Sequence, residues 1–105
     1  MLSVTINANY QRKLSELHKV NTELMIATQN LNSVTEKVDD VVAAAGSKSK
    51  LQNNQNYQKL VAIQFTYDMR KDNLESQAKL LQSQCESMKK ALSSENKATQ
   101  IWCFG

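Results

Sequence analysis

The side chains of this sequence that could perform chemistry are few, and their spacing does not form a site. His18 is the only histidine, and the Glu-x-x-His spacing of helical metal ligands fails because Ser15 stands where the acid is needed. The sequence has no Cys-x-x-Cys pair, no glycine-rich phosphate loop and no calcium-type loop. Glu36, Asp39 and Asp40 form a small acidic cluster, for which a solvated helix face is the ordinary explanation. We therefore expect no metal, no cofactor and no enzymatic activity.

The two cysteines, Cys85 and Cys103, are predicted to lie on one helix. Their separation of 18 positions spans on the order of 27 Å at about 1.5 Å per residue, which is too far for a disulfide. Cys85 falls on an apolar stripe and is predicted to be buried, whereas Cys103 is predicted to be a free thiol. Two unpaired thiols indicate a reduced, cytoplasmic environment.

The elements that position these side chains are predicted to be two long helices. The chain has no proline and only two glycines, which indicates few turns and long uninterrupted elements. The first helix should cover about residues 7–45 and the second about residues 51–99, joined by a turn at residues 46–50. Gly46 suits a left-handed helix end, and Ser49 with Gln52 has the spacing of a capping box. The fold class is therefore all-α, with residues 1–105 forming one antiparallel, coiled-coil-like helical hairpin.

An apolar seam, with residues at alternating steps of three and four, runs along both predicted helices. Leu14, Met25, Ile26 and Val42 widen the stripe of the first helix, which favours contact with more than one neighbouring helix. We therefore expect the hairpin to be completed by self-association, or by the helices of another protein. The seam residues expected to make these contacts are Leu17, Val20, Leu24, Leu31, Val34, Val38, Val41, Leu74, Leu81, Met88 and Leu92.

One segment of the second helix, residues 61–69, is ambiguous. Apolar and polar residues alternate there, which is also the pattern of a strand. Neither flank contains glycine or proline to mark a turn, and a lone strand would have no partner. Helix is the better interpretation, and strand stays the alternative.

Charge and hydropathy restrict the partners. The net charge is +3, and the basic residues are scattered pairs with acids nearby, so we expect no nucleic-acid binding. No run approaches the roughly 20 apolar residues of a membrane span. Residues 1–6 lack the basic cluster and long apolar core of a signal peptide. We expect a cytoplasmic protein, or one that is exported without a cleaved signal peptide.

The last residues are apolar again, with Ile101, Trp102 and Phe104 following a polar stretch. In an antiparallel hairpin these side chains would pack beside residues 1–6 and close the open end, which is the interpretation we favour. The alternative is a docking tail for a partner protein.

In size and plan the predicted hairpin resembles small two-helix proteins of bacterial export machines. These are the needle and inner-rod subunits of type III secretion and the small secreted hairpins of type VII secretion. The type VII proteins carry Trp-x-Gly in the turn, whereas the turn here reads Gly46-Ser47-Lys48 and the only tryptophan is Trp102. The resemblance implies a non-enzymatic structural or assembly protein and transfers no functional residue. The alternatives are a helical chaperone or adaptor that binds a partner's amphipathic helix, and a phage accessory protein.

Overall fold

Three α-helices make up the computed structural model, which describes the backbone of residues 2–104 and the side chains of residues 4–94. The helices are α1 (Leu2–Ala45), α2 (Lys48–Gln52) and α3 (Gln55–Phe104). The described backbone contains no strand, which confirms the prediction of an all-α fold.

The ambiguous residues 61–69 lie inside α3 and are helical. The strand alternative is therefore wrong. No proline or glycine interrupts the helical hydrogen bonds on either side. Thr66 also fits the helix, because its hydroxyl donates a 3.0 Å hydrogen bond to the carbonyl oxygen of Ala62, four residues earlier.

Two consecutive residues, Gly46 and Ser47, determine the end of α1 and the start of α2. Gly46 has a φ of 74°, the left-handed conformation predicted for it at the end of the first helix. Ser47 follows in an extended conformation and caps α2, accepting a 3.4 Å hydrogen bond from the backbone N–H of Lys50. The predicted cap at Ser49 is wrong, because Ser47 already begins the helix and Ser49 lies within it.

The start of α3 is set by an asparagine. The Oδ1 atom of Asn54 accepts a 3.1 Å hydrogen bond from the backbone N–H of Tyr57, so α3 begins at Gln55. The side-chain amide of Gln58 also donates to the carbonyl oxygen of Gln52. The predicted second helix, from about residue 51, is thus divided between α2 and α3.

The chain forms two compact units, and each contains a segment of α1 and a segment of α3. One unit is Thr22–Glu75, and the other combines Met1–Asn21 with Ser76–Gly105. Every buried side chain among those described is apolar. The buried residues are Ala27, Val34, Val38 and Leu74 in the first unit, and Ala78, Leu81 and Cys85 in the second. Their spacing of three, four or seven residues is that of a helical seam.

Candidate protein-protein interface

The described histidine, cysteine and acidic side chains are dispersed rather than gathered into a metal-binding cluster. No group of three or more histidine, cysteine or acidic side chains among them is placed to hold a metal ion. His18, Glu36, Asp39 and Asp40 are all exposed. Over the described residues, none of the helices is long and apolar enough to cross a membrane. The distinctive feature of the described surface is its exposed apolar side chains.

The predicted seam residues all lie on the inner sides of the helices within their units. In Thr22–Glu75, Val34, Val38 and Leu74 are buried, and the other seam residues are half-buried. In the second unit, Leu81 is buried. The half-buried seam residues of the two units are Leu17, Val20, Leu24, Leu31, Val41, Met88 and Leu92.

Beside this seam, large apolar side chains are open to solvent. On α1, Met25 and Ile26 are 57% and 50% exposed, and Val42 is 43% exposed. On α3, Phe65 is 64% exposed and Ile63 is 43% exposed. The three residues of α1 belong to the widened stripe that the sequence predicts, whereas Ile63 and Phe65 belong to the segment whose alternation obscures its helical face.

Residues of α1 and α3 form a first groove in the Thr22–Glu75 unit, with a volume of about 400 Å³. The side-chain amide of Gln64 donates a 3.0 Å hydrogen bond to the hydroxyl of Thr35 across it, so the two helices are in direct contact here. Exposed Phe65 forms part of the wall. The residues that line the first groove are Leu31, Asn32, Thr35, Val61, Gln64, Phe65 and Asp68.

A second groove, of about 280 Å³, lies in the same unit and is again lined by both helices. Ser33 contributes to the second groove and Thr35 to the first, and these residues lie about 100° to either side of buried Val34 on α1. The two grooves therefore occupy opposite faces of the helix pair within this unit. The residues that line the second groove are Asn30, Ser33, Val34, Lys37, Leu60, Ile63 and Tyr67.

Comparison with known proteins identifies no relative. The chain matches no protein-family model, and neither the curated proteins nor the solved structures contain a significant match to it. The exposed apolar residues and the two grooves are the features of the described surface that bear on function.

The remaining predicted positions lie in the second unit. Cys85 is 6% exposed, which confirms that it is buried. The side chains of Cys103 and of the predicted docking tail, Ile101, Trp102 and Phe104, lie outside the described residues.

Proposed function

We propose that the chain is an antiparallel helical hairpin that works as a non-enzymatic structural subunit by associating with further copies of itself. The order of contacts within Thr22–Glu75 supports the antiparallel arrangement. Val41 and Leu60 line one recess. Leu31, earlier in α1, shares the first groove with Asp68, later in α3. Earlier residues of one helix thus meet later residues of the other.

The observation that carries self-association is the number of large apolar side chains left open to solvent in the Thr22–Glu75 unit. These side chains are 43% to 64% exposed, and they are Met25, Ile26, Val42, Ile63, Phe65 and Met69. Exposed apolar side chains in this number are typical of surfaces that bind other proteins.

The exposed side chains also have the chemistry of an interface. Phe65 is the largest apolar side chain exposed on the described surface, and aromatic anchors dominate the energy of many interfaces. Val42 and Ile63, at 43% exposed, add apolar surface in the same unit. Covering these groups on association would remove apolar area from water, which stabilises the complex.

We propose a small component of a bacterial secretion or export apparatus as the setting of this activity. Support for it comes from the predicted two-helix plan and from its resemblance in size to the subunits of such machines. A subunit of this kind needs a surface that binds copies of itself, and the exposed flanks of α1 and α3 offer one.

Phe65→Ser is expected to weaken self-association without changing the fold. Replacing an interface anchor should raise the concentration at which the chain associates by about tenfold or more. Light scattering after size exclusion, over a concentration series, measures this shift, and circular dichroism checks the helical content.

The matched control is Leu80→Ser, because Leu80 is 60% exposed and lies in the other unit. This variant should associate like the native chain. If the native chain keeps the mass of one copy over the whole series, self-association is wrong.

A further inference from the structure

The two grooves of the Thr22–Glu75 unit have opposite charge, and we infer that the first groove of one copy binds the second groove of the next. This inference rests on the proposed self-association. It specifies which two surfaces are in contact, and it makes the assembly directional.

The first groove is acidic. Asp68 lines it, and Asp39 and Asp72 each lie four residues beyond a lining residue, which places them on the same face of their helices. All three carboxylates are exposed. Lys71 and Glu75 lie nearby but form an ion pair of 4.0 Å, so together they add no net charge. The three carboxylates on the face of the first groove therefore give it a charge of about −3 at neutral pH.

The second groove is basic. Lys37 lines it, Lys59 lies four residues before Ile63, and Arg70 lies seven residues after Ile63, on the same face of α3. These three cations are exposed. Asp40 shares a neighbouring recess with Lys37 and offsets one positive charge. Exposed Glu36, three residues after Ser33, offsets a second positive charge. Three bases and two acids leave a charge of about +1.

Each groove also presents an exposed apolar side chain among these charges, Phe65 in the first and Ile63 in the second. An apolar centre with charged residues around it is the usual composition of a protein interface. Two first grooves placed together would oppose carboxylates to carboxylates, and like charges across an interface disfavour binding. Pairing the first groove with the second brings opposite charges together.

The position of the grooves determines the type of assembly. Because they lie on opposite faces of the unit, one copy can bind a neighbour on each side through two different surfaces. Such head-to-tail contacts build rings or open filaments rather than closed two-fold dimers.

Reversing the charge of one groove at a time tests this pairing. The first variant is Asp68→Lys with Asp72→Lys, and the second is Lys37→Glu with Arg70→Glu. Each alone should need at least about tenfold more protein to associate than the native chain, because its two grooves then have the same sign. An equimolar mixture should associate again, because every first groove then meets a second groove of opposite charge. Sedimentation velocity over a concentration series measures all three samples.

The control is Lys48→Glu with Lys50→Glu in α2, which lies outside both grooves and should associate like the native chain. If a reversed variant alone associates as readily as the native chain, or if the mixture fails to recover, the pairing of grooves is wrong. Failure of the native chain to associate would instead overturn the proposed function. If the charge-reversed variants lose helical content, the variant Asp68→Asn with Asp72→Asn is measured in their place. This neutral variant must both weaken association and reduce its dependence on salt, or the inference fails.

Discussion

Val34→Asp is expected to lower the free energy of unfolding by about 3 kcal/mol or more. Val34 is 6% exposed and lies on the buried side of α1 within Thr22–Glu75. A carboxylate at this buried position would lose most of its hydration, which is costly for a charged group. Denaturant unfolding followed by circular dichroism, at a concentration below that of association, measures the loss.

Val42→Asp provides the matched control, since the same substitution is made on the same helix. Val42 is 43% exposed, so its carboxylate can stay hydrated and the expected loss is below about 1 kcal/mol. Equal losses for the two variants would contradict the assignment of the seam on α1.

Leu81→Ala is expected to cost about 2 to 3 kcal/mol of unfolding free energy. Leu81 is 8% exposed, whereas its neighbour Leu80 is 60% exposed. Leu80→Ala should therefore change stability by no more than about 0.5 kcal/mol. The two substitutions delete the same atoms at adjacent positions of one helix, so the small effect of helix propensity is the same in both. The difference between the two variants in thermal or denaturant unfolding gives the contribution of side-chain burial to the free energy of unfolding.

If Leu80→Ala destabilised the protein as much as Leu81→Ala, the buried face of α3 in this unit would be wrongly assigned. The same result would contradict the placement of Cys85 on the buried face, because Cys85 is four residues beyond Leu81 on that face and is buried with it.

The seam was predictable because burial on a helix follows a short repeat in the sequence. Val34, Val38 and Cys85 were assigned to it from spacing alone, and all three are buried. In an antiparallel hairpin, a turn centred near residue 48 would place Leu31 opposite Phe65, and these two residues line the same groove.

The boundaries around α2 were harder to predict. The break before α3 contains neither glycine nor proline. It depends on a hydrogen bond accepted by Asn54, and asparagine is a residue type that also occurs within helices. Two serines near the turn could each cap a helix, and the choice of Ser47 over Ser49 depends on the backbone conformation after Gly46.

The grooves could not be predicted, because they combine residues far apart in the chain. Thr35 and Gln64 meet only once the register between α1 and α3 is fixed, and no spacing within one helix shows this. The opposite charge of the two faces follows from the same register. The residue pattern of a single helix therefore predicts neither the contact between Thr35 and Gln64 nor the charge of the two faces.

The most direct test of the antiparallel hairpin is a pair of distances measured by electron-spin resonance between labelled cysteines. Labels replace Ser33 and Thr66 in one sample, and Ser33 and Gln55 in another. Cys85→Ala and Cys103→Ser remove the native thiols, and excess unlabelled chain suppresses distances between copies. An antiparallel hairpin predicts a shorter distance for Ser33 with Thr66, about 20 Å between labels, than for Ser33 with Gln55. Ser33 shares a groove with Ile63, which is three residues from Thr66 but eight residues, about 12 Å along α3, from Gln55. The larger separation in sequence would then give the smaller separation in space. A Ser33 to Thr66 distance approaching about 50 Å, the length of a continuous helix of that span, would contradict the hairpin and the grooves that depend on it.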